Sequence, residues 1–335
     1  MPLITLTSKG LFCEKANVYI DPWRKVDKAL ITHAHADHAR PGMVSYLAHN
    51  DSVDVLKHRL GIGINIQGIG YDKPITINGV EITFFPAGHI IGSAQIRLKD
   101  NKECWVISGD YNISDDELIE PFMPVQCDTF VTESTFGLPV FQWPKTSEVV
   151  EDINAWWQKN QDNNQPSIVS AYSLGKAQRV IQNIDHSIGP VFTHGAVENI
   201  NKIFRANGIP LKKTERLYKN DKDVVNKSLI VCPPGANDSM WMRNIKNHKF
   251  AFASGWMALR GARRRRNTEK GFVLSDHADW NALNKAIKET GANKVYVTHG
   301  YTETYSKWLN ENGIESSVLK TLFEGESIEP QNALI

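Results

Sequence analysis

The chain has 335 residues, 41% of them apolar and 22% charged, and its 38 lysines and arginines against 37 aspartates and glutamates leave a formal net charge of +1. These values fit a globular protein of one large or two modest domains and exclude a polyelectrolyte, so any nucleic-acid site must be a local patch. No run approaches a membrane span, "MPLITLTSKGLFCEK" lacks the pattern of a secretory leader, and Cys13, Cys104, Cys127 and Cys232 have no paired spacing, so reduced thiols in a cytoplasmic protein are expected.

The first third reads as strands and tight turns. "ANVYI" (16–20), "KALITH" (28–33), "VEITFFPAGH" (80–89), "CWVISGDYN" (104–112) and "TFVTEST" (129–135) are short apolar runs rich in β-branched and aromatic residues. Each ends at a histidine or an acid. From about residue 146 strands alternate with helices. "TSEVVEDINAWWQKN" has helical spacing with acids in its first turn, and "KNQDNNQP" (159–166) reads as a loop. Next come "PSIVSAY", the helix "SLGKAQRVIQNI", "PVFTHG", the helix "VENINKIFRANG", "SLIVCPP" and "KFAFASG". Alternation of this kind predicts a parallel sheet with helices on its faces, in a unit over 141–258. After "RGARRRRNTEKG" the runs "GFVLSDHAD" and "NKVYVTHGY" end again in histidine, with helices expected near 279–290 and 301–312. The middle unit is therefore expected to be inserted into a domain built from 1–140 and 259–335.

The stretch "ITHAHADHARPG" (31–42) places His33, His35, Asp37 and His38 within six positions. Imidazole with carboxylate suits zinc, manganese or iron. On an extended segment His-x-His directs two rings to one side. His33, His35 and His38 cannot by themselves close one four-coordinate site, and His89, Asp110 and His299 stand at the ends of apolar runs that neighbouring strands would bring together. His49, His58, His186, His194 and His248 read as ordinary structural histidines.

"THAHADHA" resembles the His-x-His-x-Asp-His motif of the metallo-β-lactamase fold. Asp21 in "IDPW", His89 in "AGHIIGSA" and Asp110 in "SGDYN" are similar to its first, third and fourth motifs. Glu133 in "VTESTFG", His277 in "LSDHADW" and His299 in "VTHG" resemble motifs A, B and C of the nucleic-acid-processing branch that carries an inserted β-CASP domain. The resemblance spans nearly the whole chain. It implies an α/β protein, a metallo-β-lactamase αββα sandwich with an inserted, Rossmann-like β-CASP domain lying over the metal-bearing edge. It also implies two divalent ions, zinc or manganese: His33, His35 and His89 on the first, Asp37, His38 and His299 on the second, Asp110 bridging both, and Asp21 orienting a ligand histidine. The implied reaction is phosphodiester hydrolysis by a hydroxide that the two ions activate. His277 is the expected general acid, oriented by Glu133, and Asp37 is counted with them among the catalytic residues.

Two patches are candidates for nucleic-acid contact. Arg260 and Arg263, Arg264, Arg265 and Arg266 form a cluster suited to forked pairing with phosphates. Tyr172, Ser173, Lys176 and Arg179 stand near a helix start in the inserted unit. "TESTFG" followed by "PVFQWP" in a chain with no ribonuclease J-type appendage and no N-terminal RNA-binding extension resembles the bacterial DNA-ligase-associated exonucleases. The resemblance implies a DNA exonuclease of DNA repair working beside an ATP-dependent DNA ligase. His299, which Artemis-type repair members lack, keeps open an RNA 3′-end-processing ribonuclease of the cleavage-factor type. A small-molecule phosphodiesterase and a non-catalytic nucleic-acid-binding module rank below these.

Overall fold

A computed structural model describes residues 2–218, 222–265 and 268–322, with residues 263 and 265 described in their backbone alone. In chain order, β1 (Thr5–Thr7), β2 (Gly10–Cys13), β3 (Val18–Ile20), β4 (Lys28–Leu30), β5 (Ser45–His49), α1 (Val53–Leu60) and β6 (Ile66–Ile69) come first. β7 (Ile75–Ile77), β8 (Val80–Pro86), β9 (Ala94–Lys99), β10 (Cys104–Ile107) and β11 (Thr129–Ser134) follow. The middle of the chain holds α2 (Thr146–Asp162), β12 (Ser167–Ser170), α3 (Lys176–Asn183), β13 (Val191–Thr193), α4 (Gly195–Ala206) and β14 (Glu215–Arg216). It continues with α5 (Lys222–Asn226), β15 (Leu229–Cys232), α6 (Met240–Arg243), β16 (Lys249–Ala253), α7 (Arg260–Arg265) and β17 (Lys270–Phe272). The chain closes with α8 (Trp280–Thr290), β18 (Lys294–Gly300), α9 (Thr302–Glu311) and β19 (Glu315–Val318).

The contacts divide the chain into two units, one formed by residues up to 141 and from 277 onward, the other by 142–276. In the first unit β1 to β6 form one sheet in sequence order, and a second sheet runs β19-β18-β11-β10-β9-β8-β7. Period-two alternation sorts side chains to opposite faces of the second sheet. Ile82, Phe84, Trp105, Ile107 and Val131 face Leu11, Val18, Ile20 and Leu30 of the first sheet. Phe85, Val106, Phe130, Val295 and Val297 face α8 and α9 through Leu283, Ile287, Tyr305 and Leu309. Helix α8 is fixed at both ends: Asp279 caps its first turn by accepting from Ala282 N–H, and Gly291 ends it in the left-handed region. With α1 burying Val55 and Leu56, the layers are the expected αββα sandwich.

The second unit is a wholly parallel sheet in the order β14-β13-β15-β12-β16-β17, as the strand–helix alternation predicted. Three boundaries differ from expectation. Residues 159–162 continue α2 rather than opening a loop, because Trp157 and Asn160 are buried on its inner face. The chain leaves this unit at residue 276 rather than 258, because β17 adds to the edge of β16. Finally, β4 stops at Leu30, so "THAHADHA" lies in turns beyond the strand.

Candidate metal centre

Asp21 organises the histidine loop. Its Oδ1 accepts from Thr32 N–H at 2.8 Å and its Oδ2 from the Thr32 hydroxyl at 2.6 Å. The same Oδ2 accepts from His38 Nδ1 at 2.7 Å. Thr32 Oγ1, whose proton is committed to Asp21, lies 3.1 Å from His33 Nδ1. Both rings thus carry their proton on Nδ1 and turn Nε2 inward, as a histidine ligand requires. Ala39 N–H bonds to His35 C=O and closes a turn around Asp37 and His38. The rings of His33 and His38 are therefore aimed by Asp21 and Thr32, not by strand alternation, and His35 is carried on the turn. Thr32 had no signal in the sequence beyond adjacency to the motif.

The remaining candidates arrive from strand ends in the second sheet. His89 follows β8, and its N–H donates to Ser93 Oγ at 3.1 Å. Asp110 follows β10 across Gly109, whose φ is +57° and where a Cβ would come within 2.7 Å of Thr32 Cβ; only glycine fits. His299 lies at a register shift in β18: Glu133 faces Thr298 and Ser134 faces Gly300, which leaves His299 as the extra residue. Its φ of +57° is rare outside glycine, and the bulge re-aims the ring. Ser134 Oγ donates to His299 C=O and pins the bulge.

The groups converge. His35 Nδ1 lies 3.2 Å from His33 Nε2 and 3.1 Å from His89 Nε2. Asp110 Oδ2 lies 3.5 Å from His33 Nε2, 3.5 Å from His38 Nε2 and 3.8 Å from His89 Nε2, and Oδ1 lies 3.5 Å from His299 Nδ1. Asp37 Oδ2 lies 3.8 Å from His38 Nε2. Four tetrahedral ligands about 2.0–2.1 Å from zinc stand roughly 3.3 Å apart, which these separations approach. The residues form two sets sharing Asp110, one with His33, His35 and His89, the other with His38 and His299.

A cation fits this chemistry. His38 Nε2, Asp110 Oδ1 and His299 Nδ1 are buried and have no hydrogen-bond partner, and such atoms are costly unless something else satisfies them. Burial holds the His33 imidazole well below its ordinary value, with His38 adding to the effect, so it is neutral and ready to coordinate. Burial disfavours charge on His38 too, but Asp110, Asp37 and Asp21 outweigh it and hold that imidazole well above its ordinary value. Asp110 is held well below the carboxylate range, burial being overcome by His38 and His277. A small cavity reaches Asp37, His38 and His299 between Leu11, Ile20 and Trp23.

Glu133 is neither a helix cap nor a surface acid. It sits on β11, buried, with Oε1 accepting from Tyr111 N–H at 2.8 Å and Oε2 bonded to His277 Nδ1 at 2.8 Å. The His277 ring is 4.6 Å from that of His89, and Asp110, Glu133 and His277 form a further compact group.

The expected nucleic-acid contacts are not brought together. α3 begins at Lys176, capped by Gly175 with Gln178 reaching back, so Tyr172 and Ser173 precede the helix and Ser173 is not its cap. Lys176 is fully buried with Nζ 3.0 Å from Asp276, and buried Arg179 donates to the Ser275 carbonyl at 3.0 Å. These two cations are committed within their own unit, which corrects their reading as surface phosphate contacts. Arg260 and Arg264 are exposed on α7; the side chains of Arg263 and Arg265, and all of Arg266, lie outside the described residues. Of the remaining histidines, His194 caps α4 and His49 stacks on Tyr71.

No protein-family model matches the chain. A protein of Opitutus terrae named "Probable DNA ligase" is 26% identical over 319 residues, covering 94% of this chain and 31% of that protein. An "RNase J-like protein" of Methanocaldococcus jannaschii is 25% identical over 219 residues, covering 54% of this chain and 50% of its own. The chain thus spans a third to a half of the length of these relatives. A crystal structure of a protein of unknown function from Enterococcus faecalis V583 superposes with a TM-score of 0.58 at 12% identity, over 88% of this chain and 79% of that one, and shares the fold. The parallel-stranded unit inserted between β11 and α8, together with relatives of these kinds, points to the metallo-β-lactamase/β-CASP family.

Proposed function

We propose that the chain is a metal-dependent DNA exonuclease acting in DNA repair. The observation that carries the reading is the buried Glu133–His277 pair beside Asp110 and His89. Thioester hydrolysis expels a thiolate that is stable without a proton and has no need of a second histidine oriented by its own carboxylate. Cleavage of a phosphodiester does, because the departing sugar oxygen must gain a proton.

Two divalent ions, zinc or manganese, would be held by His33, His35, His89 and Asp110 and by Asp37, His38, Asp110 and His299, and would supply Lewis-acid polarisation of the phosphate and a nucleophile at neutral pH. The chain's own residues do the rest. Asp21 and Thr32 fix the rings of His33 and His38. The bulge after Thr298 places His299. Tyr111 N–H and His277 engage both oxygens of Glu133 and fix its plane, so Nε2 of His277 is the nitrogen that delivers a proton to the leaving oxygen. Exposed Arg260 and Arg264 are the phosphate-holding groups this reading retains.

The Opitutus relative, named for DNA ligation and about three times the matched length, supports DNA as substrate and a DNA ligase as functional partner. A second reading, RNA 3′-end processing, is favoured by the RNase J-like relative and by the histidine at position 299. End-labelled single- and double-stranded DNA and RNA, each with zinc, manganese or magnesium, separate the two. Nucleotide release from DNA ends supports the first, cleavage confined to RNA replaces it with the second, and intact strands throughout overturn both.

A further inference from the structure

The carboxyl edge of the parallel sheet carries a surface that the hydrolytic centre does not use. β14 ends at Arg216, which is exposed, and Tyr218 two residues later is 69% exposed. It is the one aromatic side chain among the described residues that stands mainly in solvent. The guanidinium carbon of Arg216 lies 5.0 Å from the Tyr218 ring centre. The same guanidinium covers the first turn of α4: a Cβ on Gly195 would come within 3.0 Å of it. His194, just before, caps α4 by accepting from Ala196 N–H at 3.1 Å, which leaves its proton on Nε2. Its ring meets Trp241 edge-on at 4.8 Å. Met240, beside Trp241, is also 69% exposed.

Tyr218, Arg216, His194 and Trp241 thus form one continuous strip contributed by the ends of β13 and β14 and the start of α6. Burial and Arg216 both keep His194 neutral, so the strip holds a neutral donor, a guanidinium and two aromatic rings. Its segments are cation-rich: Lys212, Lys213, Arg216, Arg243 and Lys246 against Glu215 and Asp238. In open parallel sheets, ligands collect outside the carboxyl ends of the strands. An aromatic side chain 69% exposed, with an arginine over its ring, buries little apolar area on folding. It offers what an unpaired nucleotide needs, a ring for the base and a cation for the phosphate. A duplex hides its base faces and cannot use the rings.

We propose that this strip binds unpaired nucleotides of a nucleic-acid strand, with Tyr218 and Trp241 stacking on bases and Arg216 pairing with a phosphate. Its role as a holding site for substrate rests on the hydrolytic reading above; its binding chemistry does not.

The test uses the metal-loaded full chain, a fluorescent oligothymidine of about 20 nucleotides and the matching duplex. Tyr218→Ala, at an exposed position, and Arg216→Gln each weaken single-strand binding by about tenfold and raise KM for strand cleavage in proportion, with kcat unchanged. Tyr218→Phe retains wild-type binding, and hydrolysis of bis(4-nitrophenyl) phosphate is unaltered in all three. Unchanged oligothymidine affinity in folded Tyr218→Ala and Arg216→Gln overturns the proposal, as does equal loss for duplex and single strand. If the wild-type chain cleaves no strand with any metal, the hydrolytic reading fails while the anisotropy measurement still decides the strip.

Discussion

Glu133 Oε2 and His277 Nδ1 are 2.8 Å apart, although the two residues are 144 positions apart in sequence and the whole inserted unit lies between them in the chain. The pair is buried, and its carboxylate is anchored by a backbone N–H from the residue after Asp110. His277→Ala should therefore keep full metal occupancy and lose about 10²–10⁴-fold in kcat for strand cleavage, the usual worth of a general acid. Metal analysis beside single-turnover rates checks it; near-wild-type turnover removes the acid role.

Glu133→Gln keeps an acceptor for His277 and removes the charge. Its loss should be smaller than that of His277→Ala, and the alkaline limb of the rate–pH profile should move to lower pH, because an imidazolium without its anionic neighbour gives up its proton sooner. A parallel drop with no change in profile would mean that Glu133 serves packing alone.

Among the described residues, Asp21 touches the centre through Thr32 and His38. Asp21→Ala should fold, lower metal affinity by about 10–100-fold, and recover part of its activity at raised metal concentration. Asp110→Ala, which removes the carboxylate common to both ligand sets, should lose metal and activity together. Full occupancy of Asp110→Ala by elemental analysis would contradict the shared role.

In the metal-free chain, Asp110, Asp37 and Asp21 outweigh burial and hold His38 well above the ordinary imidazole value. Its contribution to stability is fully present below about pH 6.5 and is lost as pH rises through the raised value. Asp110 acts in the opposite sense: its depressed value gives stability that is present above the ordinary carboxylate range and lost as pH falls through the depressed value. Metal needs a neutral His38, so binding at pH 7 should release a proton. Calorimetric titration with zinc in two buffers of different ionisation enthalpy should give heats that differ accordingly. Identical heats would contradict a protonated His38.

The sequence showed which strand ends carry chemistry, because apolar runs ending in His, Asp or Glu are a period-two signal followed by an abrupt polar residue. It did not show how the ends are aimed. The rings of His33 and His38 are set by Asp21 and Thr32, a contact between the loops after β3 and β4 with no local pattern. His299 owes its direction to a register shift against Ser134, and a bulge is invisible until the partner strand is known. Lys176 and Arg179 look in sequence like any exposed helical cations; their partners Asp276 and Ser275 lie about 100 positions on, so their burial could not be anticipated.

The most direct test of the central claim compares wild type and His277→Ala at equal metal occupancy on end-labelled DNA and RNA. The account predicts metal-dependent release of nucleotides from DNA ends by the wild type, abolished by chelation and reduced by at least about a hundredfold in His277→Ala. Intact DNA and RNA after incubation with the fully metal-loaded wild type, or equal rates for the two proteins, would contradict it.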